Sequence, residues 1–175
     1  VNRIDDAVFD YEFDGVFHVA ALKSVTESFE NPKKYQEVNF LGTLKVLDFC
    51  EKYNIKNLVF TSSAAVYGNL DIDRSINELD LTLPTNPYGK SKLEAESVTL
   101  NDEKYAGISA VALRCFNLIG SQIPTFFDLK SNSVIPILAR SIRQNIPFKV
   151  YGQSFKTFDG TAIRDYINVD DAACA

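Results

Sequence analysis

The sequence predicts a three-layer α/β fold, a parallel sheet with helices on both faces, followed by the start of a smaller domain. Three apolar runs of strand length, 15–21, 56–63 and 109–115, are continuous rather than alternating, as in strands buried on both faces. Two long helical patterns, 31–53 and 86–105, lie between them. Strand, helix, strand, helix, strand at that spacing builds right-handed βαβ units, whose strands run parallel. A length of 175 residues and an apolar share of 46% suffice for one domain with a sizeable core.

Charge and cysteine content narrow the class. A formal net charge of −5, with Lys and Arg scattered, argues against a nucleic-acid groove or an anionic membrane surface as partner. No apolar run approaches the roughly 18 residues of a membrane span. Cys50, Cys115 and Cys174 are odd in number, far apart and without a Cys-x-x-Cys pair, which speaks against a disulfide framework and against a zinc site. A reducing, cytosolic compartment is expected. The chain opens on Val1 without Met and closes inside an expected helix at 170–175, so it reads as an internal piece of a longer protein.

In order, residues 5–13 read as the tail of a helix. The run 15–21 ends on Ala20-Ala21, a small pair that leaves room for a ligand at the strand's carboxyl end. Lys23 follows, within reach of a phosphate or ribose, or simply a solvated loop cation. His18, the sole histidine, reads as a hydrogen-bonded core residue on that strand. Asn31-Pro32 is a cap followed by a first-turn proline, and Tyr35, Val38, Leu41, Leu44, Leu47 and Cys50 form a stripe behind it. Asn39 and Gly42 interrupt the stripe. The strand 56–63 ends in Thr61-Ser62-Ser63, and the carboxyl ends of parallel strands are where such folds place chemistry. Residues 64–84 read as a long irregular segment of a length that is commonly functional. After the strand 109–115 comes an exit loop at 116–120. Beyond it the sequence predicts an amphipathic helix over 134–144, a short strand at 148–150 and an extended segment at 163–169.

Asn86-Pro87 repeats the cap-and-proline signal, placing Tyr88 in the first turn of a helix and Lys92 one turn later on the same face. A Tyr titrates near ~10, and drawing it to neutrality takes about 4 kcal/mol. One cation at ~4 Å in a half-buried site supplies roughly that much. Such a Tyr serves as general base toward a sugar hydroxyl. With eight Tyr in the chain, a chance Tyr-x-x-x-Lys is expected about 0.5 times. On spacing alone the motif is as well explained by a capped surface helix.

The assembled motifs are Val-Phe-His-Val-Ala-Ala-Leu-Lys-Ser-Val-Thr-Glu-Ser (16–28), Asn39-x-x-Gly42-Thr43, Thr61-Ser62-Ser63-Ala64-Ala65-Val66-Tyr67-Gly68, Pro87-Tyr88-Gly89-Lys90-Ser91-Lys92, Arg114-Cys115-Phe116-Asn117 and Asp159-Gly160-Thr161-Ala162-Ile163-Arg164-Asp165-Tyr166. In this order they resemble the extended short-chain dehydrogenase/reductase superfamily, and within it the NAD-dependent nucleotide-sugar 4-epimerases. The resemblance implies an incomplete Rossmann-like sheet. Residues 1–118 would be the carboxyl-terminal part of an NAD-binding domain, and 119–175 the start of an interleaved UDP-sugar-binding region. Val19, Ala20, Ala21, Leu22, Lys23 and Asn39 would line the NAD site, with Phe116 near the nicotinamide. Ser63, Tyr88 and Lys92 would form the catalytic trio, which also touches the cofactor. Tyr88 would take the proton of the sugar's 4-hydroxyl, Ser63 would hold that oxygen, and Lys92 would lower the Tyr88 pKa and bind the nicotinamide ribose. Asn117, Ser133, Val134, Lys149, Val150, Tyr151 and Arg164 would grip the UDP part. Two chains would pair through the helices 32–53 and 88–105.

Departures from the family pattern are local. Cys115 stands where these epimerases usually carry Tyr, and Ser133 where they commonly carry Asn. Ala64-Ala65 follows Ser63 where the sister dehydratases carry an acidic pair, so a general acid for dehydration is missing. A uronate epimerase or a decarboxylase of the same superfamily stays open as an alternative. The glycine-rich strand-turn-helix that receives the pyrophosphate in this superfamily is not in the sequence, and a binding module is what a chain complete without it would be.

Overall fold

The computed structural model describes residues 12–70, 74–120, 133–150, 152 and 154–175. The expected helix tail at 5–13 falls mostly outside them. Three strands, β1 (Val16–His18), β2 (Asn57–Ser63) and β3 (Ser109–Cys115), form a parallel sheet in the order β1-β2-β3. The register aligns His18 with Phe60 and Ala112, and Phe17 with Val59 and Val111. Neighbouring rows face opposite sides of the sheet.

One side carries Val16, Leu58, Phe60, Ala110 and Ala112. They pack with Val46, Leu47, Phe49 and Cys50 and with Ala95 in one core. The first four of these packing partners lie on one helix and Ala95 on another. In chain order the helices of this unit are α1 (Val25–Glu30), α2 (Pro32–Tyr35), α3 (Gly42–Lys52) and α4 (Pro87–Asn101). Helices α3 and α4 therefore form one helical layer. On the sheet's other side Phe17 and Val111 are 77% and 50% exposed.

The pattern 31–53 folds as one helical rod with a widened middle, α2, a π-helical segment Gln36–Leu41, and α3. Asn39, read from sequence as an interruption, sits inside the widened part. The short α1 has no counterpart in the sequence reading; its six residues hold too few turns for a period to show. Ser24 caps it, its Oγ accepting the Glu27 N–H at 3.2 Å.

The chain divides into two compact units between Cys115 and Phe116. In the second, Asn117–Ile119 is a strand (β4) and not a loop. It pairs in parallel with β5 (Tyr166–Asn168), which draws 116–118 out of the first unit. Helix α5 (Val134–Gln144) has the expected bounds and ends at Asn145, whose φ of 52° makes a left-handed cap. A last helix, α6 (Val169–Cys174), follows β5 directly. A strand is expected at 148–150, but among the described residues no strand pairs with this segment, and Val150 is 60% exposed. No helix among the described residues is long and apolar enough to cross a membrane.

Candidate active site

The carboxyl end of β2 and the amino end of α4 are brought together by local geometry that the sequence encodes. After Ser63 the chain turns into a 3₁₀ turn, Ala64–Val66, and Ser63 Oγ accepts the Ala65 N–H at 3.2 Å. Asn86 caps α4, its Oδ1 accepting the Gly89 N–H at 2.8 Å, with Pro87 in the first position. Gly89 is what permits close approach, since a Cβ there would lie 2.5 Å from the Ala65 carbonyl oxygen. Gly68 closes the intervening segment in a left-handed conformation, φ +65°, where a Cβ would run into the Leu83 carbonyl.

Tyr88 is thereby brought near the end of β2, where Ser63 acts on its phenol. Burial holds the Tyr88 phenol above its ordinary pKa, the Ser63 hydrogen bond pulls it down, and the nearby Cys115 adds to the rise. Cys115 is the register neighbour of Ser63. Its thiol is pushed up by burial and drawn down by Lys92. Tyr35, fully buried, packs edge-on against Tyr88 with ring centroids 6.3 Å apart.

Lys92 is 4% exposed, donates Nζ–H to the Thr61 carbonyl at 2.6 Å and lies 4.8 Å from the centre of the Phe60 ring. Burial draws its pKa down to about 8, with Cys115 opposing. The expected drop in the Tyr88 pKa is not found. The ammonium is directed at a strand carbonyl and a ring face, and burial dominates at the phenol.

Asn39 links the end of β1 to α4. Its Oδ1 accepts the Leu22 N–H at 2.8 Å, and its Nδ2 donates to the Leu22 carbonyl at 3.0 Å and to Ser91 Oγ at 3.1 Å. Ser91 Oγ in turn donates a hydrogen bond to the Tyr88 carbonyl at 2.8 Å. At 2% exposure, Asn39 holds the Leu22 backbone by both amide ends. Val19 (65% exposed), Ala20 and Lys23 stand open to solvent, and Ala21 and Leu22 are half-buried. His18 is a core residue, 5% exposed, with Nε2 3.0 Å from Thr43 Oγ1. Thr43 spends its one hydroxyl proton on the Asn39 carbonyl at 2.6 Å, which puts the imidazole proton on Nε2.

The remaining candidates belong to the second unit. Phe116 is 41% exposed. Asn117 opens β4, and its Nδ2 donates to the Asp165 carbonyl at 2.8 Å, beside Arg164. Arg164 is exposed and donates to the Ile163 carbonyl at 2.7 Å. Ser133 occupies the cap position of α5 and Val134 its first turn. Lys149 and Val150 are exposed, and Tyr151 lies outside the described residues.

The sequence reading gave no role to Ser62, Glu96 and Arg114, which form a buried polar cluster under the same site. Arg114 Nη2 lies 2.6 Å from Glu96 Oε1, and Ser62 Oγ donates to Glu96 Oε2 at 2.5 Å. No pattern announces it, because the partners come from three separate elements.

The sequence matches the NAD dependent epimerase/dehydratase family over residues 2–175. It is 38% identical to a UDP-glucose 4-epimerase of Caenorhabditis elegans over 93% of this chain and 48% of that protein. A UDP-glucose 4-epimerase of Mycoplasma genitalium is 38% identical over 97% of this chain and 51% of its own length. Among solved structures, UDP-glucose 4-epimerase from Brucella ovis in complex with NAD superposes with a TM-score of 0.81 at 38% identity, covering 92% of this chain and 50% of that one. The chain thus spans about half the length of the relatives it matches.

Proposed function

Because the chain belongs to the NAD dependent epimerase/dehydratase family, we propose that the full-length protein epimerises a UDP-hexose at C4, interconverting UDP-glucose and UDP-galactose through a transient 4-keto sugar. The observation that carries this reading is the packing of the Tyr88 turn of α4, through Gly89, against the segment just after Ser63, with Lys92 buried one helical turn away on the Thr61 carbonyl, at the carboxyl edge of a parallel sheet.

The residues present suit the ribose and nicotinamide end of NAD. Lys92 gives one proton to Thr61 and keeps two donors of its three for ribose hydroxyls. The segment after β1 opens Val19 and Ala20 to solvent while Asn39 fixes its backbone at Leu22. NAD, when bound there, would supply the hydride acceptor and donor that a reversible oxidation at the sugar C4 needs. Tyr88 takes the proton of the 4-hydroxyl and gives it back, and Ser63 donates to the same oxygen while its Oγ is steadied by the Ala65 N–H. Phe116 would face the nicotinamide in this reading. Asn117, Ser133, Val134, Lys149, Val150, Tyr151 and Arg164 hold the UDP, the Arg164 guanidinium suiting a diphosphate.

Pairing of two chains through the helical stretches 32–52 and 87–101 belongs to the same proposal. Leu41 and Leu100, 44% and 45% exposed on those stretches, support it. The free thiols of Cys50, Cys115 and Cys174 support a reducing, cytosolic setting.

Tyr88→Phe in the full-length chain tests the assignment. Turnover of UDP-galactose should fall by about 10²–10⁴-fold with the fold intact, since that is what a positioned proton carrier contributes. Activity within about tenfold of the parent removes Tyr88 from the reaction.

A further inference from the structure

Tyr88, Lys92 and Glu96 recur at four-residue intervals and share one stripe of α4. The third is only 3% exposed, and its carboxylate is fully engaged. Oε2 accepts from Ser62 Oγ at 2.5 Å and Arg114 Nε at 3.2 Å, and Oε1 from Arg114 Nε at 3.0 Å and Nη2 at 2.6 Å. Arg114 extends the cluster. Its Nη1 donates to the Tyr67 hydroxyl at 2.9 Å and the Glu78 carbonyl at 3.0 Å, and its guanidinium lies 4.9 Å from the centre of the Tyr67 ring. One carboxylate therefore ties α4 to the residue before Ser63, to the residue before Cys115, and, through Arg114, to the segment that carries Gly68.

The geometry of that tie is restrictive. Apolar side chains on a sheet tolerate a helix that rolls or slides slightly, whereas a two-pronged guanidinium–carboxylate pair has one good arrangement. Glu96 stands eight residues from Tyr88, about 12 Å along the axis, so the helix between them is a short rigid lever. We propose that Glu96, clamped by Arg114 and Ser62, is a positioning residue that sets the rotation and height of α4 and so the approach of Tyr88 to Ser63. This rests on the reading of Tyr88 as the base.

Glu96→Gln in the full-length chain tests it, since the amide keeps the size and the Ser62 contact but loses the charge-assisted fork. With UDP-galactose, kcat should fall about 100-fold while KM stays within about threefold, because misplacement by around 1 Å costs rate rather than binding. In parallel, amide hydrogen exchange over 89–95 should speed up about tenfold with β2 and β3 unchanged. Arg114→Lys, which keeps a cation but not the fork, should move both readouts the same way. A folded Glu96→Gln whose kcat matches the parent overturns the proposal, as does unchanged exchange over 89–95. If the parent itself turns over no UDP-hexose while the exchange still accelerates, the functional reading fails and the anchoring of α4 stands.

Discussion

Along α4, the amino-terminal half buries Lys92 against a carbonyl and a ring face, whereas one turn further on Glu96 is buried against a guanidinium. In the first place the charge is poorly compensated, and the pKa of Lys92 drops to about 8 while that of Tyr88 rises. In the second the carboxylate meets a bidentate partner and a hydroxyl, and the Arg114 pKa is raised well above its ordinary value, the Glu96 hydrogen bond being the largest cause. An unpaired buried ammonium lowers stability, which agrees with the proposed reading of this half of the helix as the one that serves chemistry, the paired half supplying rigidity in the same proposal.

The comparison breaks most severely at Arg114. Arg114→Met leaves Glu96 buried without its cation and should cost about 3–5 kcal/mol of unfolding free energy, measured by urea titration. Combining it with Glu96→Leu removes both charges, and the double variant should recover most of that loss while turning over substrate no better than Glu96→Gln. A single variant as unstable as the double one would mean that the pair's packing, not its charge, holds the helix.

His18, packed against the same Phe60 ring that Lys92 covers, sharpens the contrast. Burial first, then the Lys92 charge, lower its pKa from 6.5 to about 4. The unfolded chain therefore takes up a proton below 6.5 that the folded chain refuses until about 4, so stability falls as pH drops through that window and levels off beneath it. The loss should be about 3 kcal/mol. His18→Gln keeps a donor for Thr43 and should flatten the dependence; an unchanged slope would assign the acid lability to carboxylates.

Much of this architecture was legible in the residues, and what was not has a physical reason. The apolar run at 109–115 gave β3 its bounds, and Asn86-Pro87 placed the start of α4, because both signals are local. Spacing put Tyr88 and Lys92 on one face, but it could not say whether the ammonium would turn to the phenol or to the Thr61 carbonyl. That choice depends on a strand 31 residues away. The Glu96–Arg114 pair, 18 residues apart, and the three-residue strands β4 and β5 owe their existence to partners and carry no period of their own. Asn39 was noticed as a polar break in a helix. Its two-ended hold on Leu22 is made from within the π-helical widening, for which the sequence offers no pattern.

The smallest effect tests the unpaired half directly. Lys92→Met keeps the length of the stem over Phe60 and removes the buried charge. In the parent, the unfolded chain protonates this lysine below 10.5 and the folded chain only below about 8. The stability lost to its burial thus accumulates as pH falls from 10.5 to 8 and is complete at neutrality. At pH 7 Lys92→Met should be more stable than the parent by about 1–2 kcal/mol, the relief of desolvation less the lost Thr61 hydrogen bond, even as turnover collapses. That advantage should shrink as pH is raised from 8 toward 10.5, and a difference constant across the window would mean that the ammonium is adequately compensated and the two halves of α4 are electrostatically alike.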